Sequence, residues 1–175
     1  CGSAGRQDGR SASLTAPNGQ AQQGVLGATL VDAQMQVDEV GVLEAHGTGT
    51  SLGDPIEAGA LAAAFLARGD GSRASFAVGS LKANAGHTEP GAGMSGALKL
   101  LMELRNASLS PNAQLHILNP HVGSALSIYE ACGLPTQVTL KASRVMHVGG
   151  VSSFGYAGTI AHALLAFGAG GGSEA

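Results

Sequence analysis

An α/β fold is expected from three observations. Short apolar runs, VGVLEA at 40–45 and FAVGS at 76–80, alternate with longer stretches that carry helix-start signals. Each run opens directly into a segment rich in Gly, Thr, Ser and Asn that holds one imidazole, EAHGTGTSLGDPIEAGAL around His46 and VGSLKANAGHTEPGAG around His87. Chemistry collects at strand carboxyl ends in α/β folds, so a framed histidine after each strand reads as a catalytic arrangement. A β-hairpin pattern joined through FGYAG follows near the end.

In order along the chain, residues 1–18 (CGSAGRQDGRSASLTAPN) are polar and glycine-rich and read as a loop. Pro17 and Asn18 lead into a helix from Gly19 to Ala33. A turn at 38–41 precedes the strand at 40–45, whose apolar-rich run suits a buried sheet and delivers His46 at its end. Asp54 reads as an N-cap, with Pro55 at the first helical position and Glu57 as capping-box partner, of a helix running to about Ala67. The strand at 76–80 then feeds the loop of Lys82, Asn84 and His87.

The next helix, Pro90 to Arg105, has Gly or Ala at 91, 92, 93, 96 and 97. Each glycine costs an isolated helix about 1 kcal/mol against alanine. Such residues suit close packing on several sides, as in a helix sandwiched between two sheets. A polar loop with Pro111, Asn119 and Pro120 follows, then residues 121–140 without a clear pattern, and then the hairpin strands at 145–153 and 159–167. The tail GAGGGSEA, 168–175, reads as linker.

Composition excludes several classes. With 175 residues, a net charge of −3 and 44% hydrophobic residues, the chain can bury a core as one domain or a large piece of one. No Lys/Arg cluster exceeds two residues and aromatics are scarce, which argues against nucleic acid. No apolar run reaches the roughly 18 residues of a membrane span. Cys1 and Cys132 are too few for a disulfide framework and lack metal-ligand spacing, so no metal and a reducing compartment, cytoplasmic or plastid-like, are expected. Because the chain opens on Cys1 without a charged-then-apolar leader, the native start is expected to be absent. The 28 glycines fall at strand ends and helix starts, no internal repeat is present, and GxxxxGK[ST] does not occur.

Either framed histidine alone has an ordinary structural alternative, whereas two in matching frames favour a catalytic pair. His116, His121, His147 and His162 read as structural. Thr48 and Thr50 are turn formers or, as alternate hydroxyls beyond a strand, partners for an extended polar ligand. Asp54 and Glu57 read as a cap and its partner and not as an acid–base pair.

The segments EAHGTGTSLGDPIEA, KANAGHTEPGAGMSG and GVSSFGYAGTIAHALL, with QDGRSASLTAPNGQAQQ before them, resemble the C-terminal half of β-ketoacyl synthases. More specifically, they are similar to ketosynthase domains of modular (type I) polyketide synthases. The resemblance spans residues 2–167 in the family's order and spacing.

It implies a thiolase-like fold, of which this chain is the second half, with a mixed five-stranded sheet and one helix sandwiched between sheets in the complete domain. Residues 1–167 would be the C-terminal part of the ketosynthase and 168–175 a tail. The family's nucleophile is a cysteine in a TACSSS-type turn, and neither Cys1 nor Cys132 has that frame. The nucleophile is therefore expected to lie outside this chain, which alone would be inactive.

The implied reaction is a decarboxylative Claisen condensation between an acyl thioester and a malonyl-type extender. Both are carried on the phosphopantetheine of acyl carrier protein, and no cofactor is bound directly. His46 and His87 match the enolate-stabilising histidines, and Lys82 matches the active-site lysine that orders their charge network. Thr48 and Thr50 match the threonines that hold the pantetheine amides. Phe154 lies on the loop gating the acyl pocket beside Tyr156, where the family usually has phenylalanine. Asn84 is expected to brace its loop. The family reads GTNAH where this chain has GTIAH, so Ile160 replaces an amide whose loss would cost about 1 to 3 kcal/mol of local hydrogen bonding.

Gly96 stands where many dissociated fatty-acid enzymes carry glutamate, which favours the modular type over a fatty-acid synthase condensing domain. The resemblance also implies a homodimer when complete. A non-condensing, chain-length-factor-like partner is the alternative from another class.

Overall fold

The computed structural model describes residues 1–9, 16–66, 76–127, 132–140 and 147–168. Its strands are β1 (Gly2–Gln7), β2 (Val42–Glu44), β3 (Phe76–Gly79), β4 (Ser108–Leu109), β5 (Cys132–Gly133), β6 (Thr139–Leu140), β7 (Val148–Phe154) and β8 (Thr159–Ala166). Its α-helices are α1 (Gly19–Ala33), α2 (Gly53–Leu61), α3 (Lys82–Ala85), α4 (Ala92–Asn106) and α5 (Pro120–Ser127). The main sheet has the order β1-β8-β7-β2-β3-β5, and β4 pairs with β6 separately. It is mixed, as expected: β7, β2, β3 and β5 run parallel, while β8 is antiparallel to both β7 and β1. The two-residue β5 adds a sixth strand at one edge.

Local signals account for α1. Asn18 caps it by accepting from the amides of Gln20 and Ala21 at 3.1 and 3.2 Å, and a left-handed Gln34 ends it. Side-chain alternation along β2 then assigns the helices to opposite faces of the sheet. Leu43 packs with Leu26 and Leu30 of α1, Leu61 of α2 and Phe65, while Val42 packs with Leu100 and Leu104 of α4.

The small residues of α4 serve close approach to the sheet. A Cβ on Gly93 would lie 2.8 Å from Ser153 Oγ, and one on Gly96 would lie 3.1 Å from Glu44 Cγ. On the opposite face of α4, Met94, Leu98 and Met102 are more than half exposed. Among the described residues no helix is long and apolar enough to cross a membrane.

Two expectations are corrected. Residues 1–18 are not simply a loop, because Gly2–Gln7 forms β1, paired along its length with β8. Backbone pairing and contact with α1 hold it: Asp32 accepts from the Ser3 amide at 2.9 Å, and a Cβ at Gly2 would strike Ala33. A polar edge strand of this kind has no apolar alternation to betray it. Asp54 and Glu57 are not a cap and its partner either. Leu52 occupies the N-cap position without a side-chain bond, and both carboxylates turn to the loop before the helix.

Helices α1 and α4 and the hairpin β7–β8 lie where the sequence places them. The stretch 121–140 contains most of α5 together with β5 and β6. The expected helix end at Ala67, the hairpin start at 145–146 and tail residues 169–175 lie outside the described residues.

Candidate active site

Three neighbouring parallel strands end at one edge of the sheet. β7 ends at Phe154, β2 leads through Ala45 to His46, and β3 leads through Ser80 and Leu81 to Lys82 and His87. The sheet order β7-β2-β3 therefore brings together residues far apart in the chain. The His46 and His87 ring centroids are 5.8 Å apart with planes at 87°, and the Phe154 ring lies 5.2 Å from that of His46.

The loop after β2 is shaped by left-handed glycines, Gly47 and Gly49 at φ 44 and 76. Such a turn points amide hydrogens inward, and α2 supplies their acceptors. Glu57 takes the His46 amide on one oxygen at 2.7 Å and the Gly47 amide on the other at 2.9 Å, while Asp54 takes Gly49 at 3.1 Å. Thr50 Oγ1 accepts from Gly53 at 3.0 Å and lies 3.5 Å from Thr48 Oγ1. Burial pushes the Glu57 carboxyl up to about 7, against the two amide bonds that favour its charge. Asp54 is also raised by burial.

The hydrogen bonds settle the tautomers of both imidazoles. His46 Nδ1 accepts from the Phe154 amide at 3.3 Å, and His87 Nδ1 accepts from the Glu89 amide at 2.9 Å. An amide donor needs a bare ring nitrogen, so in each neutral ring the proton sits on Nε2. Both rings are thereby Nε2–H donors. Glu89 adopts φ 48, a left-handed conformation uncommon for a residue with a side chain. Burial, then the charges of Lys82 and His87, lowers the His46 pKa to about 4, which keeps that ring neutral at ordinary pH.

A cavity of about 390 Å³ is lined by His46, His87, Thr48, Thr50, Phe154 and Tyr156, with Ile160 beside them. Tyr156 is 82% exposed, whereas Ile160 is buried and pairs with Phe154 across the hairpin. Lys82 is not on that wall. It lines an adjoining cavity of about 660 Å³ that shares His87, Thr48, Thr50 and Glu57. All seven candidate site residues thus border one connected set of walls. Lys82 and Asn84 lie in the single-turn helix α3 and not in the loop expected for them, and Asn84 ties that turn to the segment after β4 by accepting from the Ala113 amide at 2.8 Å.

Sequence reasoning missed the buried polar residues beneath this edge. Glu44 accepts from the Leu81 amide, Asn112 accepts from the Ser80 amide, and Lys99 pairs with both Glu44 and Glu103. One signal was present: a glutamate within an apolar strand run must be buried, and buried carboxylates need partners. His162 is buried at 2% exposure beside Ser152, away from the cavity walls, as a structural histidine should be.

Comparison with known proteins gives a consistent result. A family model described as β-ketoacyl synthase, C-terminal domain, matches residues 1–116. One of the phenolphthiocerol/phthiocerol polyketide synthase proteins of Mycobacterium tuberculosis is 44% identical over 165 residues, covering 94% of this chain and 9% of that protein. A spectinabilin polyketide synthase system protein of Streptomyces orinoci is 46% identical over 168 residues, covering 94% of this chain and 4% of that protein. Among solved structures, an oxazolomycin ketosynthase domain of Streptomyces albus superposes with a TM-score of 0.85 at 32% identity, over 95% of this chain and 29% of that one. The ketosynthase from module 6 of the bacillaene synthase of Bacillus subtilis gives 0.81 at 32% identity, over 93% and 29%. The chain thus spans less than a third of each of these structures and less than a tenth of either relative.

Proposed function

This chain belongs to the β-ketoacyl synthase family, as a C-terminal ketosynthase segment of the modular polyketide synthase type, and on that premise we propose that it carries the histidine part of a decarboxylating condensation site. The observation that carries the reading is the pair of imidazoles 5.8 Å apart, each with Nδ1 occupied by a backbone amide and Nε2–H left as donor.

A malonyl-type thioester held between such donors loses carbon dioxide. The electrons of the broken C–C bond pass into an enolate, whose oxygen takes the developing charge. Each donor aimed at that oxygen is worth about 3 to 4 kcal/mol. The enolate carbon then attacks an acyl thioester and expels a cysteine thiolate. Lys82 holds positive charge at the edge of the site, Thr48 and Thr50 hold the pantetheine amides of the carrier protein, and Phe154 with Tyr156 gates the acyl side.

The nucleophile comes from outside these residues. Burial pushes the Cys132 thiol up to about 11, the opposite of what an attacking thiolate needs, and its strand is separated from β2 by β3. Residues 1–167 are accordingly the C-terminal part of a condensing domain whose remainder supplies the cysteine and covers the apolar outer face of α4. The complete domain works as a homodimer with acyl carrier protein, and the chain alone is inactive.

The test is decarboxylation of malonyl-carrier protein by the complete condensing domain that contains this chain. His46→Ala and His87→Ala should each slow it by about 10²- to 10³-fold. A near-normal rate in either variant refutes the reading and leaves a binding-only module.

A further inference from the structure

On the α4 side of the sheet, beneath the histidines, lies a cluster of charge that the proposed reaction does not use. Lys99 Nζ is 2.7 Å from Glu44 Oε2 and 3.0 Å from Glu103 Oε1, and the three side chains are 8%, 2% and 4% exposed. Burying ions is costly, and an apolar trio of similar volume is often as stable or more so, so stability alone gives a weak account of them.

The backbone has been cleared to fit them. A Cβ on Gly96 would lie 3.1 Å from Glu44 Cγ, and one on Gly79 would lie 3.1 Å from Lys99 Nζ. One oxygen of Glu44 faces Lys99. The other leaves the cluster and accepts the Leu81 amide at 2.6 Å.

That amide belongs to the residue immediately before Lys82. Asn112 Oδ1 holds the preceding amide, Ser80, at 2.9 Å. Two successive amides beyond β3 are thus fixed from inside the protein just where the chain turns to present Lys82 and then His87.

We infer that Glu44, seated by Lys99 and by the space at Gly79 and Gly96, is the positioning residue of Lys82, clamping the turn that presents its ammonium to the site. The inference rests on the reading of Lys82 given above. Glu44 also acts through its charge. Lys82 faces Glu44 from β2, Glu57 and Asp54 from α2, and the His46 ring. Burial lowers its pKa, and Glu44 opposes that shift most among these carboxylates. Glu44 in turn faces Lys99 and Glu103 of α4.

Two double variants of the complete domain separate these roles. In Glu44→Gln with Lys99→Met, the amide oxygen still accepts from Leu81. In Glu44→Leu with Lys99→Met, nothing does, while the consequences for Glu103 are the same. Misplacement of about 1 Å costs on the order of 100-fold, so the leucine variant should decarboxylate malonyl-carrier protein about 100-fold more slowly than the glutamine variant.

The glutamine variant should also move the basic limb of the pH–rate profile to lower pH, because the ammonium of Lys82 loses its strongest anionic support. Equal rates in the two folded variants overturn the inference. Should the leucine variant fail to fold, an unmoved basic limb in the glutamine variant overturns it instead. Lys82→Ala in the same assay separates the two levels: full activity there refutes the site reading itself, whereas a loss there with unaffected Glu44 variants refutes only the inference.

Discussion

The loops that carry the two histidines are held in different ways. The loop of His46 is fastened at the amides of His46, Gly47 and Gly49 by two carboxylates of one helix, and its ring sits half-buried against Phe154. Among the described residues, the loop of His87 is fastened at its root, by Asn112, by Glu44 and by the bond from Ser80 Oγ to the Gly47 carbonyl, and at Asn84. Its ring is exposed and takes its tautomer from a bond to Glu89, two residues on. Both loops reach the same chemical state, an Nε2–H donor, by different means. His46 is set by the packed interior, His87 by its own turn.

The largest effect that tests this contrast comes from Glu57→Leu. It strands two part-buried amides, each worth about 1 to 3 kcal/mol, and should lower the melting temperature markedly while slowing decarboxylation about 100-fold. Asn84→Ala, which removes one exposed bond from the other loop, should cost about 1 kcal/mol or less. Similar losses from the two substitutions would erase the contrast.

A second test is the pH dependence of stability. Glu57 has a folded pKa of about 7 against an ordinary value of 4.5, so the folded state keeps a proton that the unfolded state loses, and stability falls as pH rises between those values. His46 and His162, lowered to about 4 from 6.5, act in the opposite sense, because the unfolded state binds protons there and stability rises with pH. Glu57→Gln removes the falling contribution. Its unfolding free energy should therefore climb more steeply between about pH 4.5 and 6.5 than that of the unsubstituted protein, in urea titrations across that range. An unchanged slope would mean that Glu57 is ionised throughout.

A small effect, confined to binding, is expected at Thr48, on the wall of the cavity. Thr48→Val should raise KM for the carrier-bound substrate about fivefold, one hydrogen bond of about 1 kcal/mol, and leave kcat within about twofold. A fall in kcat alone would move Thr48 from holding the substrate to acting in the transition state.

Much of this was legible in the sequence where the physics is local. Asn18 caps α1, small residues mark the face of α4 that meets the sheet, and apolar runs followed by glycine announce β2 and β3 with their histidines. What stayed hidden depends on partners distant in the chain. β1 is polar and is held by backbone bonds to β8, more than 150 residues away. Glu57 stands three residues after Asp54, which imitates a capping box, yet its oxygens serve amides of a loop folded back over the helix. Lys99 and Glu103, four apart on a helix, look like a solvent-exposed pair. Only the register of β2 against α4 reveals that Glu44 lies between them and the Lys82 turn.

Protonation of the two imidazoles is the property on which the proposed chemistry most directly depends, and ¹⁵N NMR of the histidine side chains in the labelled complete domain reads it without a kinetic assay. Both rings should show the proton on Nε2 when neutral, and His46 should remain neutral down to about pH 4. A proton on Nδ1 of either ring, or a His46 that titrates near its ordinary value of 6.5, would contradict it.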